Sequence, residues 1–193
     1  MTQISQAAVL PKSLIHHFLI PSQTIDDDRF VDALIYICRH QSQEGAFGFI
    51  INKPLSFLSV GSVLSEMNLP ASQALMNTNA VLGGFLHDQA GFVLHTGLPV
   101  FASSFAVGEN VCLTTSKDVL KNIALDKLSH FLLCMGFCRW SKGQLEQEIL
   151  NKKWLVCPAD LFILFGADFE KRLLFAKTKL GILPDLEQIV GYA

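Results

Sequence analysis

Hydrophobic and polar residues follow two periods along the chain, one typical of buried strands and one of amphipathic helices. From Ala33 to His40 nearly every position is apolar, the pattern of a strand that is buried on both faces. The polar turn 41–45 separates it from Phe47 to Asn52, so the two segments predict a hairpin that ends before Pro54. Further strands are predicted at 14–20, 80–82, 92–95, 111–114, 131–137 and 154–157.

Apolar stripes and capping residues predict the helices. Ser59 precedes apolar residues at i, i+3, i+4 and i+7, which places one face of a helix against the core. Two pairs stand three residues apart, the spacing of a capping box, and start two further helices: Thr115 with Asp118, and Ser141 with Gln144. Asp168 is predicted to cap the last helix, with Gly181 just past its end.

The order of these elements predicts the fold class. Strands and helices interleave without the strict βαβ rhythm of a doubly wound fold. We therefore expect an α+β protein, with a mixed sheet surrounded by helices. Half of the 193 residues are hydrophobic and 17% are charged, which excludes disorder and supplies a core for a single domain over 1–193.

Composition also bears on the compartment. Apolar runs such as Phe131 to Met135 are five residues long, far short of the roughly 20 that cross a membrane. The start of the chain has neither the basic nor the apolar region of a secretory signal. The five cysteines (38, 112, 134, 138 and 157) form no Cys-x-x-Cys pair and no zinc set. These features predict reduced thiols, a cytoplasmic protein, and no metal or cofactor.

Charge argues against nucleic acid as a partner. The net charge is −2, so there is no general attraction to phosphates. Residues 139–179 hold eight Lys/Arg against five Asp/Glu, and this excess leaves one alternative open. We interpret it as solvated helix faces; a nucleic-acid patch would have to use Lys152, Lys153, Lys171 and Arg172.

Several polar and glycine residues at predicted strand ends are candidates for a ligand site. An amide and an amine precede Pro54, a glycine pair follows a strand, two threonines precede a helix, and an indole stands near an amide. Each also has a structural explanation, such as a turn, a cap, a close backbone approach or a core anchor. The candidate ligand-binding residues are Asn52, Lys53, Gly83, Gly84, Thr114, Thr115, Trp140 and Gln144.

Five blocks in the same order carry a family resemblance: residues 35–40 with 45–54, Gly83-Gly84, 91–95, 113–118 and 136–148. On these blocks the chain resembles the AlgH/YqgE-like family of uncharacterised bacterial proteins. The resemblance implies a compact α+β fold with a barrel-like mixed sheet, and a cytosolic location. No enzyme activity is assigned to the family, and some relatives carry a transcriptional-regulator label. Arg139 stands where a glycine is usual.

Two functions remain open at this point. The chain shows no nucleophile elbow, zinc-binding His-Glu-x-x-His or EF-hand loop, which favours a cytosolic binding or regulatory protein without catalysis. The alternative is a small-molecule or anion-binding protein, enzymes included. Its site would form where the strand ends near Asn52, Gly83, Thr115 and Trp140 converge.

Overall fold

The computed structural model describes residues 11–182; both ends of the predicted 1–193 domain, 1–10 and 183–193, lie outside the described residues. Ten strands form one curled sheet that resembles half of a barrel. The strands are β1 (His17–Pro21), β2 (Ile35–Gln41), β3 (Gly45–Ile50), β4 (Pro54–Ser59), β5 (Asn79–Leu82), β6 (Leu86–Thr96), β7 (Ser104–Gly108), β8 (Val111–Thr114), β9 (Phe131–Trp140) and β10 (Trp154–Pro158).

The sheet is mixed, as predicted. Its main path runs β10-β1-β2-β3-β9-β6-β8-β7, and all of these neighbours are antiparallel. β5 joins β9 in parallel, with Val81 beside Cys134, and β4 pairs with β5. The helices are α1 (Val60–Glu66), α2 (Gln73–Met76), α3 (Asp118–Ala124), α4 (Gln144–Leu150) and α5 (Phe169–Lys179), with a 3-10 turn at Asp28–Phe30 and a π-helical turn at Phe162–Gly166. The α+β prediction is confirmed.

The core lies on both faces of the sheet. Tyr36 of β2 belongs to one buried cluster, which α5 covers, whereas Ile35 and Ile37 belong to a second cluster that contains Leu145 of α4. The two-sided burial that the unbroken apolar run predicted is therefore present. A third cluster packs α1 and α3 against β6 and β9.

The sequence pattern missed three elements. Pro54 does not end the sheet but begins β4, a position that proline tolerates because the first residue of a strand can lack an N–H donor. β4 has no buried residue and β7 has one, and neither shows a clean apolar alternation, so no periodic signal marks them. α2 is a single turn with no buried residue. β6 and β9 also extend beyond their predicted bounds, 92–95 and 131–137.

Some of the predicted helix caps form and others do not. Ser59 caps α1 as expected, since its hydroxyl accepts from Ser62 N at 3.0 Å. The Thr115–Asp118 pair is wrong as a capping box. One oxygen of Asp118 accepts from Ala102 N at 3.0 Å, so this carboxylate ties α3 to the loop before β7. That partner is distant in sequence and invisible to a local pattern.

Of the other two predicted caps, one forms in part and the other makes no capping bond. Gln144 Oε1 accepts from Ser141 N at 2.9 Å, which is half of the expected box. The residue that precedes α4 is Gly143, in the left-handed conformation (φ 74°), so Ser141 stands too early for the reciprocal bond. Asp168 precedes α5 but makes no capping bond; its carboxylate pairs with Lys171 at 2.8 Å.

A close crossing of backbones joins β5, β6 and β9. The link between β5 and β6 passes over β9 so tightly that a Cβ on Gly84 would overlap the carbonyl carbon of Phe137. A Cβ on Gly136 would lie 2.6 Å from Gly84 O, and Gly136 has φ +69°. The glycine pair thus serves the close backbone approach that was one of its predicted roles.

The left-handed Gly136 also changes which side of β9 faces which core. Cys134 lies in the first cluster and Leu133 in the third, by simple alternation. After Gly136 the alternation shifts, so that Phe137 packs with the first cluster and Cys138 with the second. Such a shift is what an irregular residue in a strand produces.

We predict that Gly84→Ala destabilises the protein by about 1–3 kcal/mol, because the added methyl group must displace the backbone of β9. Urea unfolding followed by circular dichroism measures the change. Gly91→Ala, on the neighbouring strand β6, is the matched control. Its Cβ would lie 3.5 Å from Leu133 Cδ1, an ordinary contact, so we expect a change below about 1 kcal/mol. Equal losses in the two variants would contradict the proposed role of Gly84.

Candidate functional site

An open groove of about 340 Å³ crosses the sheet. We call it the aromatic groove, because four phenylalanines from four strands line it: Phe47, Phe92, Phe105 and Phe137. Leu113 adds to its apolar wall, and the side chains of Arg39, Glu44, Thr115 and Arg139 supply its polar groups.

The phenylalanine rings pack edge to face. Phe47 meets Phe137 at a centroid distance of 6.2 Å and Phe105 at 6.5 Å, with interplanar angles of 72° and 80°. Phe92 meets Phe137 at 5.6 Å and 76°. This is the geometry that the ring quadrupoles favour. The rings therefore hold one another in place while parts of them face the groove.

The two arginines of the groove differ in their partners. Arg39 donates to Glu44 at 2.7 Å and to Gln41 at 3.3 Å, so its charge is paired within the rim. The side chain of Arg139 is exposed and makes no hydrogen bond or ion pair with any residue in the range 11–182. The groove thus combines an apolar wall with one unpaired positive charge.

A second depression, of about 290 Å³, lies beside α4. We call it the tryptophan crevice, because Trp140 and Trp154 stand at its base. Their indole N–H groups both donate to Glu148 Oε2, at 2.9 and 2.7 Å, and Gln144 Nε2 donates to Glu148 Oε1 at 2.9 Å. Three donors hold this carboxylate, so it ties α4 to β9 and β10.

The predicted site residues do not share one cavity. Thr115 lines the aromatic groove, whereas Trp140 and Gln144 line the tryptophan crevice. Asn52 lines neither: its side chain accepts from Leu34 N at 2.7 Å and donates to Asp32 O at 2.8 Å.

The remaining candidates have structural contacts. Thr114 is buried and bonded through its hydroxyl to His95 Nε2 at 2.8 Å. Lys53 donates to Arg29 O at 3.1 Å. Gly83 and Gly84 pack against β9. Neither the aromatic groove nor the tryptophan crevice therefore brings Asn52, Gly83, Thr115 and Trp140 together.

The four cationic residues proposed for nucleic acid do not form a free patch. Arg172 is 3% exposed and donates to Ile51 O at 2.6 Å and to Ala167 O at 3.1 Å. Burial lowers the pKa of Arg172 to about 10, so it remains charged at neutral pH. Lys153 pairs with Asp26 at 2.5 Å and Lys171 with Asp168. The fourth residue, Lys152, lies just after α4 and has a left-handed backbone conformation (φ 60°).

The cysteines are not arranged as nucleophiles. All five are free and buried, and burial raises the pKa of each thiol, that of Cys138 to about 12. A thiol becomes a nucleophile only as the thiolate, so these groups are unreactive at neutral pH. Within residues 11–182 no three His, Cys, Asp or Glu side chains lie close enough to hold a metal ion.

The histidines also have structural partners. His95 is fully buried and bonded to Thr114, as expected of a core histidine. His40 Nε2 lies 3.0 Å from Glu146 Oε1, and His40 Nδ1 accepts from Leu14 N. Neither histidine lines the aromatic groove or the tryptophan crevice.

Sequence reasoning missed the phenylalanines of the groove and the two indole N–H groups that donate to Glu148 in the crevice. Phe47, Phe92 and Phe137 each lie in a predicted strand, where an aromatic side chain is ordinarily assigned to the core. Phenylalanine is abundant, at 15 of 193 residues, and that excess was the available signal. Glu148 stands four residues after Gln144, but its two indole partners come from different strands.

Fold and site together define an α+β protein with a half-barrel sheet and an aromatic groove across it. The family model described as AlgH-like (DUF179) matches residues 18–184. The chain belongs to this AlgH-like family.

Relatives and a solved structure agree with the assignment. A UPF0301 protein of Psychrobacter cryohalolentis is 47% identical over 184 residues, covering 94% of this chain and 98% of the relative. The UPF0301 protein YqgE of Salmonella newport is 42% identical, covering 94% and 100%. The solution structure of AlgH from Pseudomonas aeruginosa has a TM-score of 0.79 and 33% identity, covering 100% of this chain and 98% of that one. These names assign no activity.

No helix within residues 11–182 has the length and the apolarity needed to span a membrane.

We predict that Glu148→Gln destabilises the fold by about 1.5 kcal/mol or more, because an amide cannot accept from both indoles and from Gln144 at once. Urea unfolding monitored by circular dichroism tests this. The control is Glu170→Gln, an exposed residue of α5, with an expected change within about 0.5 kcal/mol. If the two variants unfold alike, the carboxylate does not anchor α4.

We predict that the native thiols react very slowly with Ellman's reagent at pH 8, because burial raises their pKa values and blocks access. The same reagent in guanidinium chloride should titrate all five cysteines. Rapid reaction of one thiol in the native protein would instead reveal an activated cysteine.

Proposed function

We propose that this protein is a non-catalytic binding protein that takes a small, largely apolar molecule into the aromatic groove. The observation that carries the proposal is the set of four phenylalanines that line an open groove of about 340 Å³. That volume falls within the range of about 300–1,000 Å³ that is usual for ligand pockets.

The exposure of the rings supports a ligand. Phe47, Phe92 and Phe137 are only partly buried, and Phe105 at the rim is 39% exposed. Apolar surface left in water costs about 25 cal/mol per Å², so a molecule that covers several rings gains free energy directly. Edge-to-face packing fixes the rings beforehand, so little side-chain entropy is lost when the ligand binds.

The groups around the groove favour binding over catalysis. Its polar side chains are two arginines, a glutamate paired with one of them, and Thr115, whose hydroxyl makes a long bond of 3.4 Å to Ser103 O. No general base stands next to that hydroxyl in the described structure. A regulatory role in the cytoplasm suits such a protein, because five buried, unpaired thiols are typical of a reducing compartment.

We expect the neutral fluorescent probe N-phenyl-1-naphthylamine to bind in the groove with an increase in emission. Phe105→Ser should weaken its binding about tenfold, because an exposed ring at the rim is lost. Fluorescence titration measures the dissociation constant.

Phe57→Ser is the matched control. Phe57 lies on β4, is 82% exposed and is not part of the groove, so its replacement should leave probe binding unchanged. Absence of probe binding to the native protein, or equal weakening in the two variants, would show that the groove is not a binding site.

A further inference from the structure

We infer that the ligand of the aromatic groove is a flat ring system with one anionic group, a carboxylate or a phosphate, which Arg139 binds. This inference rests on the proposed function, since it names the chemical class of molecule for the same groove. It adds a specificity-determining residue that the apolar wall alone does not supply.

The position of Arg139 follows from the irregularity in β9. Gly136, with φ +69°, shifts the alternation of the strand so that Phe137 faces the first core cluster. Arg139 is two residues further along, on the same side, and pairs across the strands with Phe47. The aromatic rings next to Arg139 in the groove are therefore those of Phe47 and Phe137.

Arg139 differs from every other arginine in the chain. Arg29 is bound by Asp27 at 2.6 Å and Arg39 by Glu44 at 2.7 Å. Arg172 is buried and bonded to backbone carbonyls. The guanidinium of Arg139 makes no hydrogen bond or ion pair within residues 11–182, although it lines a cavity whose only acidic residue in that range is already paired with Arg39. The rim of the groove therefore carries one uncompensated positive charge.

Charge and shape together select the class of ligand. A guanidinium group binds a carboxylate or a phosphate through two parallel hydrogen bonds, which suits an anion and repels an amine. Rings arranged edge to face offer slots for a flat ring. A volume of about 340 Å³ lies at the small end of ligand pockets, so one or two fused rings fit better than a dinucleotide.

The experiment uses one fluorescent probe and three competitors that share the same naphthalene ring system. N-phenyl-1-naphthylamine is bound first, and 1-naphthoate, 1-naphthyl phosphate and 1-naphthylmethylamine are then titrated as competitors. We expect at least one of the two anions to displace the probe about tenfold more effectively than the amine. The preferred anion identifies a carboxylate or a phosphate ligand. The preference should shrink between about 0.1 and 0.5 M salt, because screening weakens an exposed charge contact.

Arg139→Gln should abolish the preference for the anion while leaving binding of the neutral probe intact. The side chain is exposed and makes no contact that the fold needs, so the variant should fold. Lys121→Gln, on the exposed side of α3, removes one positive charge elsewhere and should keep the preference. Arg139→Glu should reverse it in favour of the amine.

Two outcomes separate the two proposals. If the neutral probe binds and Phe105→Ser weakens it, but the anions compete no better than the amine, the inference about Arg139 is overturned and the proposed function stands. Retention of the native anion preference in Arg139→Gln would overturn the inference about Arg139 in the same way. If no probe binds to the native protein, both proposals fail.

Discussion

The contact on which the structure depends is the backbone crossing between the Gly83-Gly84 link and β9. Glycine at positions 83, 84 and 136 lets the two chain segments approach more closely than any residue with a side chain would allow. That approach positions β5 in parallel beside β9 and β6 antiparallel to the same strand, which also pairs with β3. The crossing therefore fixes where the chain passes from β5 to β6 across β9.

The same crossing creates the candidate site. Gly136 adopts a left-handed conformation where it meets Gly84 and Leu86, and the resulting shift turns Phe137 and Arg139 toward the aromatic groove. Gly136 therefore belongs to the backbone crossing and also determines which side chains face the aromatic groove. A strand of regular alternation would place an aromatic ring and a guanidinium at these positions on the other face, away from Phe47.

The tryptophan crevice illustrates the opposite case, in which polar groups serve the fold. Trp140 and Trp154 come from strands at different places in the sheet, and their indole N–H groups converge on Glu148. A charged acceptor satisfies donors that would otherwise be buried without partners. The conspicuous tryptophan of the sequence is thus an anchor for α4, and the side chains with open chemistry are the less conspicuous phenylalanines and one arginine.

The sequence by itself determined the elements whose signal is local. The unbroken apolar run of β2, the stripe of α1 with its Ser59 cap, the buried cysteines and the mixed α+β character all follow from hydrophobic spacing and short-range hydrogen bonding. Tertiary structure alone decided the exposed strands β4 and β7, the partner of Asp118 and the separation of Asn52 and Gly83 from Thr115. Those depend on where a curled sheet brings distant segments together, and no local period records the curvature.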